Sequence, residues 1–367
     1  MTAPERLRVQ YVVDDFPQLS QTYLRTELAS IRRDHDVAVI ALKPADRVYL
    51  DAAPHVHETD EDRIVERVRA FRPHVLHTHF LHTAELVERV ARRTGVPFTV
   101  RTHSFDVLPL HLDPEGSAAR RRGGLDATRS SFCLGVLAFP FLRPALERAG
   151  IPAATLVDCW PVIDHAAFLD RGPRGRDVMN VGACIPKKRM EDFADLARLV
   201  PDRRFRLYAI GYRSDEVDAY VRRTGSPVEM VDALEPSAMP AEFRRHGWLV
   251  YTGCFTRRTV GWPLAVAEAQ AAGLGVIVAR VREDLATYVG PAGFLYDDIR
   301  EVPAILARGY PEEMRLAGYE HARRSDIEAH RHLLTDRWRA AAAAGPRAPE
   351  PPVAARRGLF ARWFGRG

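Results

Sequence analysis

Glu268 is the one acid in an apolar run, TVGWPLAVAEAQAAG, from Thr259 to Gly273. Pro263 suits the first turn of a helix, where its missing N–H is no loss, and Gly273 suits the end. Free N–H groups at the start of that helix would point into the preceding loop, TGCFTRRTVGW, and a helix N-terminus favours phosphate. Gly261, Trp262, Pro263 and Leu264 would border that end. Glu268, about a turn and a half in, could accept both hydroxyls of a ribose while the phosphates sit at the helix start. The alternative is a surface glutamate with no role. Arg257 and Arg258 lie just upstream and offer forked, permanently charged donors for phosphate; a solvated loop pair is the other reading.

A second group of residues is histidine-rich. His77 and His79 alternate on an extended run and so point the same way. With His82 and His103 they raise the question of a metal. No carboxylate joins them at close spacing in the sequence, so the preferred reading is no metal, with His77 in the core and His79 near a cleft. Asp14 and Asp15 are adjacent in a loop; they serve either as a base or as turn formers.

These residues need a scaffold, and the sequence alternates short apolar runs with helical patterns. LRVQYVV, DVAVIAL, HVLHTHF and PFTVRTH read as strands. Between them SQTYLRTELASIRRD (capped by Ser20, with Tyr23, Leu24, Glu27, Leu28 and Ile31 on one face), EDRIVERVRAF and AELVERVARRTG read as helices. The pattern pauses at RGPRGR (Arg171–Arg176), which reads as a linker, then restarts through DVMNVGA, FRLYAIG, VEMVDA, WLVYTG and GVIVARV with helices between. Strand–helix–strand repetition requires crossovers and a mainly parallel sheet covered on both faces. The expectation is two α/β halves, residues 1–170 and 177–340, with 311–340 helical and closing the second half. The Ala/Pro-rich stretch from 341 should be disordered. It ends in RRGLFARWFGRG, and Arg356–Gly367 is either a basic amphipathic contact for an anionic membrane or an inert tail.

The whole chain is 367 residues with a net charge of +5, enough for two domains but too mild a charge to select a partner. Basic residues are not interleaved with aromatics outside the tail, which argues against a nucleic-acid binder. Four cysteines without a C-x-x-C pair read as reduced thiols of a cytoplasmic protein. The first residues lack a signal region, and no run is long and apolar enough to span a membrane.

Taken in order, YVVDDFPQLSQTYLRTEL, PHVLHTHF, GVPFTVRTHSFDV, NVGACIPKKRMEDF and VGWPLAVAEAQAAGLGVIVA resemble the retaining, GT-B-fold glycosyltransferases that use nucleotide-activated sugars. The likeness runs from about residue 7 to residue 335. It implies two Rossmann-like doubly wound domains facing across a cleft. Glu268 matches the family's ribose-binding glutamate, and Lys188, in the loop after Gly182, the lysine that neutralises the diphosphate. His103 matches the histidine facing the donor sugar, and Asp106 the acid that follows it. Two positions depart from the pattern: Val260 stands where a glutamate contacts the sugar's hydroxyls, and Ala183 where an arginine shares the diphosphate. Arg257 or Arg258 would substitute for that arginine. For Val260 the nearest carboxylates are Glu229, Asp232 and Glu235, useful only if their loop folds over the donor.

The resemblance implies transfer from a nucleoside-diphosphate sugar to an unknown acceptor (glycan, lipid-linked glycan or small metabolite) with retention, needing no cofactor or metal. Lys188 and the helix start would stabilise the leaving phosphate, and His103 would hold the sugar. The loop with Asp14, Asp15 and Phe16, together with His79, would border the acceptor. Val260 and Ala183 keep two alternatives open: a catalytically impaired binding or scaffold protein, and a nucleotide-sugar epimerase. The place of work would be the cytoplasm or the inner face of the membrane.

Overall fold

The computed structural model describes residues 6–104, 106–108, 121–172 and 175–350. Seven parallel strands form the first sheet: β1 (Arg8–Phe16), β2 (Asp36–Pro44), β3 (His55–His57), β4 (Val75–His79), β5 (Phe98–Arg101), β6 (Cys133–Ala138) and β7 (Leu156–Asp158). Their order is β3-β2-β1-β4-β5-β6-β7. Six more form a second parallel sheet: β8 (Val178–Cys184), β9 (Phe205–Tyr212), β10 (Glu229–Asp232), β11 (Trp248–Tyr251), β12 (Gly275–Ala279) and β13 (Phe294–Tyr296), in the order β10-β9-β8-β11-β12-β13. Strands such as Val75–His79 and Gly275–Ala279 are buried along their whole length because helices cover both faces. The two-half α/β reading therefore holds. It omits β3, β6, β7 and β13, and three of these are only three residues long.

Strand order reverses between β1 and β4 in the first sheet and between β8 and β11 in the second. Loops leaving neighbouring strands diverge at such a switch point, opening a crevice at the carboxyl ends. The residues singled out above leave these strands or follow them closely.

Two expected details differ. Gln21, not Ser20, occupies the N-cap of the helix Thr22–Arg32, with no side-chain cap bond; the Ser20 hydroxyl lies 3.4 Å from that of Tyr212. The last helix, His332–Ala344, follows the second sheet in sequence but packs on the first. Its Trp338 is fully buried, edge-on to Tyr11 and His77, and its indole N–H donates to Thr99 Oγ1 at 3.0 Å. Leu334, one turn earlier, is buried with it. A tryptophan hides on the order of 200 Å² of mostly apolar surface, so its anchor decides where the helix docks. Residues 341–344 continue this helix, and the backbone N–H groups of Arg347 and Glu350 then donate to Gly95 and Arg92. The tail from 351 on, with Arg356–Gly367, lies outside the described residues. No helix among the described residues is long and apolar enough to cross a membrane.

Candidate active site

In the first half the site is built around a buried carboxylate. The helix Thr22–Arg32 turns Leu24, Glu27, Leu28 and Ile31 inward, and Glu27 is fully buried. An isolated buried carboxylate is strongly disfavoured, so partners must be supplied. Arg101, at the end of β5, donates through Nε to Glu27 Oε2 at 2.7 Å. The Tyr11 hydroxyl donates to Oε1 at 3.1 Å, and His79 Nε2 lies 3.2 Å from the same oxygen. His77 Nε2 is 3.1 Å from it but off the line a hydrogen bond prefers, so it is an electrostatic contact. Burial pushes the Glu27 carboxyl up, but Arg101, His77 and His79 hold it well below its ordinary value. Arg101 reaches on through Nη1 to Cys159 Sγ at 2.8 Å.

This corrects one step of the metal argument. A carboxylate does join His77 and His79, from a helix some fifty residues away, and the three ligand atoms lie within 4.8 Å of one another. The donor set is that of a transition-metal site. The guanidinium already paired to Glu27 supplies the positive charge a metal would bring, and it would repel one.

His79 passes the contact outward: its Nδ1 is 2.9 Å from His103 Nε2. The rings of Tyr23 and Phe80 lie against His103, at 4.1 and 4.7 Å between centroids. Burial keeps both histidines neutral, pulling His79 down to about 4 and His103 well below its ordinary value. Asp106 is spent on structure. Its two oxygens accept the backbone N–H of His103 (2.8 Å) and of Leu81 (2.7 Å), tying the His103 turn to the helix Leu81–Thr94. Burial raises its carboxyl to about 6. Asp14 and Asp15, expected in a loop, belong to the carboxyl end of strand β1, and Asp14 pairs with Lys43 at 3.0 Å and His82 at 3.4 Å. Burial works to raise the Asp14 carboxyl, yet its contacts with His82 and Lys43 hold it below its usual value. Asp15 accepts from Gln21 at 2.6 Å, and Phe16 is buried against Tyr49 and His55.

The second half presents a cation and a carboxylate. Lys188 leaves the loop after β8, and its ammonium lies beside the α-carbon of Gly182, where any Cβ would overlap it. Gly182 has φ +143°, which few other residues tolerate. Tyr251 sits under the ammonium at 5.6 Å. Desolvation and neighbouring Lys187 lower Lys188 to about 8. Hydrogen bonds to the main chain stitch this loop to the one after β11: Thr252 Oγ1 donates to the Lys188 carbonyl at 2.6 Å, and the Cys254 N–H to that of Lys187 at 3.0 Å.

Glu268 is half-buried on the helix Leu264–Ala271, and no described residue makes a hydrogen bond or ion pair with its carboxylate. Desolvation alone raises it to about 7. Pro263 stands one place earlier than expected, at the N-cap. Gly273 (φ +75°) closes the helix, its N–H bonding to Gln270 and that of Leu274 to Ala269. Leu264 starts the helix, half-buried.

The remaining candidates divide. Arg257 and Arg258 are exposed in the loop before the helix. Val260 is 3% exposed and belongs to the second core. Trp262 is also buried, stacked on Tyr288 at 4.9 Å and packed on Phe139, Phe141 and Trp160, with its N–H on Asp284. The loop is braced by Arg282, which the sequence reading missed. It pairs with Asp284 and donates to the carbonyls of Arg258 and Val260. Gly261 meets Ser104, next to His103, so closely that a methyl would overlap it. This close approach brings the His103 turn against the loop before the Glu268 helix. Of the carboxylates considered as stand-ins, Glu229 and Asp232 begin and end edge strand β10, with Glu229 paired to Arg206 of β9, and Glu235 accepts the Leu50 N–H.

No family model matches the sequence, and no curated protein matches it. Solved structures do match in fold. HepE of Anabaena, in complex with UDP and glucose, superposes with a TM-score of 0.71 over 90% of this chain and 99% of its own, at 13% identity. Sucrose-phosphate synthase from Thermosynechococcus elongatus gives 0.66 over 92% and 100%, at 15% identity. A protein described as a putative UDP-N-acetylglucosamine 2-epimerase from Listeria monocytogenes gives 0.58 over 90% and 97%, at 11% identity. The two-domain GT-B fold is thereby established.

Proposed function

We propose that this protein is a retaining glycosyltransferase that takes a nucleoside-diphosphate sugar as donor. The observation that carries the reading is Glu268. It is a carboxylate without a described partner, raised to about 7, one helix turn past the N-terminus that follows the β11 switch point, with a lysine lowered to about 8 in the adjoining loop. A carboxylate free of protein donors suits a diol, and a lysine held over a glycine suits a diphosphate. The neighbours HepE, crystallised with UDP and with UDP-glucose, and sucrose-phosphate synthase support the same reading.

In this reading Lys188 and the helix start offset the charge that grows on the leaving diphosphate. His103, neutral and fixed from behind by His79, contacts the donor sugar. Arg257 and Arg258, exposed before the helix, are free to close on the phosphates. Asp14 and Asp15, at the end of β1, are the acceptor-side residues of the proposal, Asp14 as part of its ion-paired rim; Phe16 and His79, expected there too, are fully buried and can only support that side from behind. No cofactor, metal or nucleic acid is required. Work in the cytoplasm, with Arg356–Gly367 resting on the inner membrane face, belongs to the same proposal.

The buried Val260 favours a second reading, a GT-B protein that binds a nucleotide sugar without transferring it. An epimerase, like the Listeria neighbour, is the third. Incubation with UDP-glucose and related donors separates them. A glycoside product of retained configuration supports transfer, an altered free nucleotide sugar supports the epimerase, and binding with neither supports the scaffold. If no nucleotide raises the melting temperature at millimolar concentration, the donor site itself is wrong. A ligand at a hundred times its Kd should stabilise by about 2.7 kcal/mol.

A further inference from the structure

We propose that Glu27 and His79 are positioning residues that fix the tautomer of His103, so that this imidazole offers its Nδ1 as a hydrogen-bond acceptor. The inference concerns the histidine that the proposed function sets against the sugar, and it rests on that reading for its purpose but not for its test.

Arg101 is the group in this cluster whose protons are fixed by its chemistry. A guanidinium only donates, and Arg101 Nε meets Glu27 Oε2 at 2.7 Å. Glu27 is therefore the carboxylate, and a carboxylate only accepts. His79 Nε2, 3.2 Å from Oε1, must then carry hydrogen. A neutral imidazole has one such hydrogen, so His79 Nδ1 is bare. The atom 2.9 Å from that bare nitrogen is His103 Nε2, which must donate to it. His103 is neutral in its turn, so its Nδ1 is left with a lone pair. No described residue hydrogen-bonds that atom.

A second route reaches the same carboxylate oxygen independently. Trp338 Nε1, which can only donate, gives its hydrogen to Thr99 Oγ1 at 3.0 Å. The threonine's own hydrogen can then go to His77 Nδ1 at 2.7 Å. That leaves His77 with its hydrogen on Nε2, the atom facing Glu27 Oε1 at 3.1 Å. The opposite tautomer would set a lone pair against the carboxylate. Both histidines thus turn N–H toward Glu27, and the order set at Arg101 passes through Glu27 and the His79 ring to His103. An acceptor at Nδ1 takes a hydrogen bond from a sugar hydroxyl and has no proton to give.

The test reads tautomers directly, by long-range proton–nitrogen correlation on the full-length protein carrying 15N-histidine, without ligand, at neutral pH. Wild type is expected to show His79 and His103 neutral and protonated at Nε2. In Glu27→Gln, Arg101 still demands an acceptor, so the amide oxygen turns to it and the NH2 faces His79. His79 should then carry its hydrogen on Nδ1, and His103 should follow, although the substituted side chain does not touch it. If this variant does not fold, His79→Phe removes the acceptor and should leave His103 as a mixture of tautomers. Nδ1–H or imidazolium His103 in wild type overturns the proposal, as does a folded variant in which His103 keeps Nε2–H. If the tautomers are as stated but UDP-glucose leaves the His103 resonances unmoved, the positioning holds and the donor reading falls.

Discussion

The Lys188 ammonium rests against the bare α-carbon of Gly182, six residues earlier and on the strand it follows. Chain geometry thus holds a cation in place, with no acidic partner recorded among the described residues. A methyl at 182 would overlap the ammonium and would also force an alanine to φ +143°. Gly182→Ala is expected to weaken UDP binding at least tenfold while costing about 1–3 kcal/mol of stability. Calorimetric titration beside a thermal melt checks this, and an unchanged Kd would mean that Lys188 does not meet the diphosphate.

Glu268 and Lys188 together set a pH window for nucleotide affinity. Glu268 accepts ribose hydroxyls best when ionised, so binding should strengthen as pH rises through about 7. It should weaken again as Lys188 loses its proton above about 8. Glu268→Gln should erase the acidic limb and keep the alkaline one. Folding runs the other way. The Glu268 pKa is raised on folding, so the folded state favours the protonated acid, and that preference is lost as pH climbs from 4.5 through about 7. The variant should therefore melt higher than wild type at pH 8 and no higher at pH 4.

Val260 marks the departure from the family pattern, and its side chain faces the second core. Val260→Glu would place a carboxylate there, where Arg282 already has its bonds to Asp284 and two carbonyls. The expected result is a loss of about 3 kcal/mol, in the range for an unpaired buried charge, with no gain in transfer rate. A faster enzyme with an unchanged melting temperature would show that position 260 reaches the sugar.

Trp338→Ala should cost about 3–5 kcal/mol as a large core truncation. It also removes the donor to Thr99, behind His77. Trp338→Phe separates the terms: it should restore most of the packing, leaving about 1 kcal/mol for the lost hydrogen bond. Denaturant melts of the pair measure both, and equal losses in the two variants would contradict the split.

Legibility in the sequence followed locality. Glu268 and Gly273 could be read because a strand, a loop and a helix in unbroken succession define their places, whereas Lys188, in the loop after Gly182, was marked by the resemblance. Glu27 was visible as a charge on an apolar helix face, between Leu24 and Leu28, and as one residue of the YVVDDFPQLSQTYLRTEL stretch that carries the resemblance. Its partner Arg101 is 74 residues away, and nothing near either residue announces the pair. Arg282 was hidden likewise, since its partners include main-chain carbonyls that have no sequence signature. Trp338 looked like part of the second half because only tertiary packing decides which sheet a terminal amphipathic helix covers.

That final helix also fixes an order of events during synthesis. The first sheet is complete in strands once β7 has been made, yet the face of Tyr11 and His77 stays open until residues 332–344 emerge. The half of the molecule that leaves the ribosome first is therefore the one finished last. A chain stopped between the two sheets would carry an uncovered apolar face and a half-ordered histidine cluster, and would need a chaperone or its missing helix supplied as a peptide.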